Sequence, residues 1–359
     1  MNKKVYFSNF FAFLFLISSS LFAQEKHSDS TATSAIVEAK TGEEDAPEKG
    51  EMTEAFNPGK MMMEHIADEH EWHFATSGHT HYSIPLPCIV WNKGGLTTFS
   101  SNRFKNEHHE EIPYEGLKLE EGKIVAEDGS FVLDLSITKN VASLLISFTL
   151  LLIIFFIVAK SYKERVGKAP KGLQAAFEPL IIFIRDEVAK TNIGEKHYRR
   201  FVPYLLTVFF FILFNNMLGL LPGSANVTGN IAITLVLAII SFFVTNLNGT
   251  KTYWGHIFAM PGVPKWLLIL LTPVEIIGVF MKPISLMIRL FANITAGHLI
   301  LLSLIALIFI FKSIGVAFIA VPFSVFMNLI ELLVAFLQAY IFTVLTSTYI
   351  GAAVEEAHH

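Results

Sequence analysis

The stretch KPISLMIRLFANITAGH, from Lys282 to His298, places an arginine inside a long apolar run. The run extends from Trp266 to Phe311, so Arg289 is more than twenty residues from either end. An arginine at the centre of a membrane helix costs roughly 2.5 to 3.5 kcal/mol on insertion scales. A chain that keeps it must supply a partner or water beside it, and Arg289 is therefore the first candidate functional residue.

Further polar residues share a helix face with this arginine. Positions three, four or seven apart lie on one side of an α-helix, and such spacings relate Glu275, Lys282, Ser285, Arg289 and Asn293. His298 is nine residues beyond Arg289, about half a turn away, so its imidazole faces elsewhere. The alternative is structural: Arg289 snorkels to a lipid headgroup or closes an ion pair.

A second polar stripe follows in residues 315–350. Its members are spaced as on one helix face: Ser324, Asn328, Glu331 and Gln338. A hairpin of the two long helices would bring Glu331 and Gln338 toward the polar face of the first. Two interpretations of His298 with Glu331 stay open, a structural ion pair and a titrating relay in which burial and coupling shift both pKa values.

Composition indicates a membrane protein. The 359 residues are 52% hydrophobic, with 33 Phe, and several segments reach the ~20 apolar residues that cross hydrocarbon. Of the 31 acidic residues, 22 fall between Glu25 and Asp134, so the rest of the chain is net basic. Cys88 is the only cysteine, which excludes an internal disulfide and a metal site built on cysteines.

The N-terminal third divides into three predicted parts. Residues 1–23 have the basic start, apolar core and small-residue end of a signal peptide, with an uncleaved anchor as the alternative. Residues 24–60 are predicted to be disordered because they hold too little apolar surface to offset ordering entropy. Residues 61–138 form a predicted β-rich extracytoplasmic module, in which HYSIPLPCIVW and LTTFSS flank one turn, and GKIVA and SFVLDL flank another.

Histidines cluster in this module, at His65, His70, His73, His79 and His81. Neutral imidazoles bind zinc and copper, but the spacing matches no closed metal motif. Solvation of an acidic, His-rich segment, or packing against a neighbouring subunit, is the favoured interpretation.

Five membrane helices are predicted, and their approximate bounds are 139–159, 201–221, 230–247, 266–311 and 315–350. The loop from Lys160 to Arg200 is rich in Lys and Arg, which marks it as cytoplasmic; its amphipathic segment 171–190 is expected along the membrane face. About 46 helical residues would measure roughly 70 Å against ~30 Å of hydrocarbon. The helix at 266–311 must therefore tilt steeply or break, with Pro273 and Pro283 as candidate kinks.

The predicted fold is thus an all-α polytopic membrane protein with a long tilted two-helix hairpin and a small β-rich N-terminal module. Residues 139–355 form its membrane domain. At this point KPISLMIRLFANITAGHLI, followed by ELLVAFLQAYIFTVLTSTYI, resembles the a-subunit family of F-type ATP synthases. The resemblance extends over about residues 139–355 and includes FNNMLGLLPG and ANVTGNIAITLVLA.

The resemblance implies roles at matching positions. Arg289 matches the arginine that faces a rotor ring of c subunits, with polar Asn293 and Gln338 near it. Glu275 matches an acid in the access path. Some family members have an acid where this chain has His298 and a histidine where it has Glu331, so an acid–imidazole pair is kept in exchanged order. Ser285 is a further candidate residue for proton translocation, from its place on the polar stripe of Arg289.

The implied function is proton translocation through two half channels, without a cofactor, a nucleotide site or nucleic acid binding. External protons would enter near Asn230, Glu275, His298 and Glu331, reach a ring carboxylate, and leave to the cytoplasm past Arg289. Implied partners are the c ring, the b subunits of the peripheral stalk and membrane lipid, in a bacterial inner membrane. The competing classes are a secondary transporter, for which no internal repeat is found, and a scaffold whose charges serve assembly.

Overall fold

The computed structural model describes residues 68–77, 80–93, 95–105, 112–120, 122–221, 224–260 and 262–355. The predicted signal peptide and the predicted disordered segment lie outside these ranges, as do His65, His79 and the last four residues.

Residues 68–138 fold into small antiparallel sheets. The strands are β1 (Glu71–Ser77), β2 (Thr80–Pro85), β3 (Pro87–Asn92), β4 (Gly95–Ser100), β5 (Leu117–Glu120), β6 (Lys123–Ala126) and β7 (Leu133–Asp134). They pair as β1–β2, β4–β3–β7 and β5–β6. The β-rich prediction for this region is confirmed, and its small core contains the fully buried Cys88, whose thiol pKa burial raises to about 11.

One predicted hairpin is present and the other is wrong. β3 and β4 pair around a turn that ends at Gly95, where φ is +109°, a backbone conformation open mainly to glycine. β6 pairs with β5 instead of β7, and β7 joins the edge of β3. Ile124 and Ala126 of β6 face the same core as Leu117 of β5, and this shared burial decides the pairing.

Hydrogen bonds from the segment before β1 join the module to the first membrane helix, α1 (Lys139–Glu164). Asp68 accepts hydrogen bonds from the Asn140 amide and the Thr138 hydroxyl, each at 3.0 Å. His70 Nε2 lies 2.9 Å from Asp134 Oδ2. Burial raises the pKa of Asp68. Burial also acts to raise the pKa of Asp134, but its interactions with His70 and its hydrogen bonds with Ser136 together lower it.

The remaining helices are α2 (Leu173–Phe183), continued by the π-helical segment Ile184–Lys190 and α3 (Thr191–Ile193), then α4 (Tyr198–Gly219), α5 (Ile231–Leu247), α6 (Lys251–Phe258), α7 (Lys265–Phe311) and α8 (Ile314–Val354). In the described part of the chain, α1, α4, α7 and α8 are each long and apolar enough to cross a membrane. A fifth span results if α5 is counted with α6, from which it is bent by 104°.

The helix α7 is continuous over its 47 residues, with Pro273 and Pro283 inside it. A break at either proline is therefore the wrong alternative. α7 and α8 run antiparallel around Lys312, which takes the left-handed conformation at φ 46°, and they form the two-helix hairpin that the sequence predicts.

The membrane core is built around α4. Phe209, Phe210 and Leu205 on this helix are fully buried, as is Phe342 on α8. Phe177 of α2 contacts Phe210 at a ring distance of 5.5 Å, so α2 packs on the membrane helices. By contrast, many apolar side chains of α7 and α8 are exposed in the single chain, among them Ile269, Ile277, Phe318 and Leu329.

Candidate functional site

The two long helices are joined in the membrane by a hydrogen bond between side chains. Asn293 Nδ2 on α7 donates to Gln338 Oε1 on α8 at 3.0 Å, and Gln338 is 2% exposed. Because α7 and α8 are antiparallel, this bond aligns the two polar stripes, so residues after Asn293 lie beside residues before Gln338.

An imidazole and a carboxylate meet beyond that bond. His298 Nδ1 on α7 lies 4.0 Å from Glu331 Oε1 on α8, with side-chain exposures of 13% and 7%. Gly297 supplies the space, because a Cβ there would stand 3.4 Å from the Glu331 carboxylate. The structure thus brings together the acid and histidine that the sequence suggested as a pair.

The segment that connects α4 to α5 packs against the same end of the hairpin. Thr228 and Asn216 form a buried relay, in which the Thr228 hydroxyl donates to Asn216 Oδ1 at 2.7 Å and Asn216 Nδ2 donates to the Ala335 carbonyl at 3.1 Å. Thr295 donates to the Gly229 carbonyl at 3.5 Å. The adjacent Asn230 caps α5 through the Ala232 amide. We call His298, Glu331 and Asn230 the outer cluster.

A small cleft with both apolar and polar side chains in its lining opens near the opposite end of the hairpin. Its polar lining comes from four helices: Ser241, Thr245, Asn246, Tyr253, Lys282 and Tyr349. The Lys282 ammonium lies 5.4 Å from the Tyr349 ring centroid and 6.0 Å from that of Tyr253, the range of cation–π attraction. We call this site the inner cleft.

Arg289 lies between these two sites on α7. At 1.5 Å per residue it is about 10 Å along the axis from Lys282 and about 13 Å from His298. Its side chain is exposed in the single chain, as is Ser285 one turn away. Among the described residues, no carboxylate forms an ion pair with it. The cation therefore faces outward from an apolar surface, available to a partner.

The structure separates Glu275 from His298, with which the sequence grouped it. Glu275 and His298 are on one unbroken helix, twenty-three residues or about 35 Å apart along its axis. Glu275 is exposed on the Lys282 side of Arg289 and within electrostatic range of that lysine. It lies nearer the inner cleft than the outer cluster.

No group of three or more His, Cys, Asp or Glu side chains that could hold a metal ion occurs in the described ranges. Of the histidine cluster, His70 is buried against Asp134. The cluster therefore remains a sequence-level hypothesis for its other members, whose side chains are outside the described part.

Sequence reasoning did not find the inner cleft. From the sequence, Lys282 was placed on the polar stripe but assigned no role, and Tyr253 was predicted to lie in a loop between two helices. The available signal was the helical spacing of Lys251–Phe258, a short amphipathic segment that follows a membrane run.

A polytopic membrane protein with titratable groups on both sides of an intramembrane arginine has the features of an ion-translocating subunit. Comparison with known families identifies it further: the model described as ATP synthase A chain matches residues 141–351, and the chain belongs to this family. A domain of unknown function matches residues 61–142, the β-rich region and the start of α1.

Curated relatives agree with this family. The chain is 49% identical over 233 residues to ATP synthase subunit a of Chlorobium phaeobacteroides strain BS1, covering 63% of this chain and 68% of the relative. It is 48% identical over 233 residues to ATP synthase subunit a 2 of Prosthecochloris aestuarii, covering 63% and 71%. ATP synthase subunit a of Myxococcus xanthus is 43% identical over 259 residues, with 70% and 80% covered.

The chain is accordingly a proton-translocating, multi-pass subunit of the ATP synthase membrane sector, and it works with other subunits of that complex. Its part in the complex is that of a channel subunit.

Proposed function

We propose that the outer cluster and the inner cleft are parts of two half channels that open onto a ring of c subunits. The observation that carries this proposal is Arg289, an exposed cation without a carboxylate partner in the described residues, between two polar sites. A ring carboxylate that passes this face of α7 would supply the missing partner.

The outer cluster would deliver the proton. His298 and Glu331 are close enough for their protonation states to be coupled, and Asn230 lies at the same end through its neighbour Gly229. Protonation makes the ring carboxylate neutral, and a neutral acid costs far less to move into lipid than an anion. The ring can then turn.

Arg289 and the inner cleft would take the proton off again. A nearby cation lowers the pKa of a carboxylate, so the returning ring acid ionises beside Arg289 and releases its proton toward the cleft. Ser285 and Glu275 line the same side of α7, and the Asn293–Gln338 bond holds the hairpin in register. The fixed guanidinium also opposes direct proton passage between the half channels.

The orientation proposed for the chain follows the charge distribution. The basic segment Lys160–Arg200 and the inner cleft would face the cytoplasm, and the β-rich module would face the periplasm of a bacterial inner membrane. Residues 1–23 would be a cleaved signal peptide, 24–60 a disordered segment, 61–138 the module and 139–355 the membrane domain. The b subunits of the stalk would be further partners.

Replacement of Arg289 tests the proposal. In inverted vesicles that contain the whole ATP synthase, Arg289→Ala should abolish ATP-driven proton pumping while all subunits still copurify. Ile288→Ala, at a neighbouring position on α7 that is also exposed, should pump normally. Pumping by Arg289→Ala would refute the role, and loss of the assembled complex would favour the scaffold. Proton flux by the chain alone, without a ring, would favour the secondary transporter.

A further inference from the structure

We propose that cations at the end of α1 form a binding surface for the phosphate groups of anionic phospholipids. The surface, here called the basic collar, consists of Lys160, Lys163, Arg165, Lys168 and Lys171. Within residues 160–171 the one acidic residue is Glu164. This inference goes beyond proton translocation and does not depend on the half channels.

The depth of the collar in the membrane favours lipid phosphates as its ligand. Twenty uncharged residues separate Lys139 from Lys160, and as a helix they span about 30 Å, the thickness of the hydrocarbon core. Lys160 is therefore at the hydrocarbon boundary. Glu164, at the end of α1, is about 6 Å further out, so this part of the collar occupies the headgroup layer.

Contacts between α1 and α2 hold the rest of the collar at the same level. The Ser161 hydroxyl donates to Gln174 Oε1 at 2.8 Å, and Gln174 is 4% exposed. Deeper in the membrane, Phe155 and Phe177 are in ring contact at 5.9 Å. The loop between Ser161 and Gln174 thus begins and ends at one depth, and Lys168 and Lys171 are carried on it.

The collar cations are also free to bind a ligand. Lys160 is 3.7 Å from Glu164, but no carboxylate pairs with Lys163, Arg165, Lys168 or Lys171 in the part of the chain that the structure describes. Basic residues further along the same segment differ, since Arg185 pairs with Asp186 at 2.7 Å and Lys190 with Glu195 at 2.8 Å. Nearby carboxylates thus neutralise Arg185 and Lys190, whereas four of the five collar cations have no such neighbour among the described residues.

Exposed apolar side chains accompany the cations. Val166 is 81% exposed, Leu173 42% and Tyr162 39%. Apolar and aromatic residues beside Lys and Arg are typical of surfaces at the boundary between headgroups and acyl chains. An acidic segment of a partner subunit would satisfy the charges, but it would leave these side chains at headgroup depth unexplained, so the lipid is the favoured occupant.

Selectivity for an anionic headgroup tests the proposal. The full-length chain is reconstituted in phosphatidylcholine vesicles that contain a trace of spin-labelled phosphatidylglycerol or spin-labelled phosphatidylcholine, and the immobilised fraction of each is measured by electron spin resonance. We expect phosphatidylglycerol to associate roughly five- to tenfold more strongly. The triple variant Lys163→Gln, Lys168→Gln, Lys171→Gln should lose most of this preference, and high salt should weaken it.

A matched control removes three exposed lysines from the module: Lys93→Gln, Lys118→Gln and Lys123→Gln. It changes the net charge equally and should keep the preference. Equal binding of the two lipids by the natural chain, or an unchanged preference in the collar variant, would overturn the proposal. A combined result would also overturn it: the natural chain binds the two lipids equally, and the collar variant loses other subunits when the ATP synthase is purified. That result would assign the collar to an acidic segment of a partner subunit.

Discussion

The His298 imidazole lies 4.0 Å from the Glu331 carboxylate, and both side chains are largely shielded from solvent between α7 and α8. A charge left alone in such surroundings is strongly unfavourable, so the protonation of one group depends on that of the other. Family members that carry the two residue types in exchanged order, as the resemblance implies, would keep this relationship.

The pair gives a first prediction, on proton flux. Glu331→Gln and His298→Ala should each slow passive proton flux through vesicles stripped of the catalytic head by about tenfold or more, since each removes one titratable group. The double exchange His298→Glu with Glu331→His should recover much of the flux, because it restores an acid beside an imidazole. Flux is measured from about pH 6 to pH 9, where histidine titration would be visible.

Ser303→Ala is the control for these variants, because Ser303 is an exposed polar residue of α7 close to His298 and donates to its own helix at Leu299. It should leave flux unchanged. Natural flux in Glu331→Gln at every pH would reduce the pair to a structural contact.

A second prediction concerns Lys282 in the inner cleft. A fixed cation beside the cleft lowers the pKa of a ring carboxylate that approaches it, so it should promote proton release from the ring toward the cytoplasm, the direction of ATP synthesis. Lys282→Met should therefore slow ATP synthesis driven by an imposed proton gradient severalfold without abolishing it, while Lys282→Arg, which keeps the charge and the contacts with the rings of Tyr253 and Tyr349, should keep the natural rate. Initial rates of ATP synthesis after an acid–base jump measure both variants.

Two results would contradict this view of Lys282. ATP synthesis by Lys282→Met at the natural rate would show that the cleft is not on the proton path. Complete loss of synthesis in both Lys282→Met and Lys282→Arg would indicate a packing role, because the charge would then be irrelevant.

Helical periodicity predicted which residues share a face, and this was sufficient for the Asn293–Gln338 bond and for the approach of His298 to Glu331. Both depend on one antiparallel hairpin of long, strongly apolar helices. Periodicity gives a direction around the axis but no depth in the membrane. Glu275 was therefore grouped with His298 although about 35 Å of helix separates them.

Other features depended on contacts between distant parts of the chain. The partner of β6 was decided by a core that Leu117 shares with Ile124, and no local pattern in GKIVA specifies it. The inner cleft requires the bend of 104° between α5 and α6, which brings Tyr253 toward Lys282.

A third prediction concerns the stability of the inner end of α8. A Cβ at Gly351 would overlap the Asn192 backbone carbonyl oxygen, and the Thr348 hydroxyl also donates to the Asn192 side chain at 3.2 Å. Gly351→Ala should destabilise the full-length chain by about 1 to 3 kcal/mol, as overpacking does, and lower its melting temperature. Gly278→Ala, with open space around the new Cβ, should leave it unchanged or raise it. Equal melting temperatures for the two variants would contradict the close packing.

A fourth prediction concerns pH and the junction between the module and α1. Asp68 accepts hydrogen bonds from Asn140 and Thr138, yet burial raises its pKa in the folded state. For an acid shifted in this direction, the stabilisation is fully present below the unfolded pKa, about 3.9, and is lost as pH rises through the folded pKa. The junction should therefore open more readily at neutral than at acidic pH.

Two substitutions separate the charge of Asp68 from its hydrogen bonds. Asp68→Asn keeps an acceptor for the Asn140 amide without the charge, so it should slow hydrogen exchange of the first turn of α1 at pH 7 and reduce its pH dependence. Asp68→Ala removes the acceptor and should speed exchange at every pH, as loss of a cap worth about 0.5 to 2 kcal/mol does. Comparison at each pH cancels the intrinsic exchange rate, and the nearby Glu69, His70 and Lys139 are the same in all variants. Asp128→Asn, on an exposed turn, is the control. Identical pH dependence in Asp68→Asn and the natural chain would show that another group controls the junction.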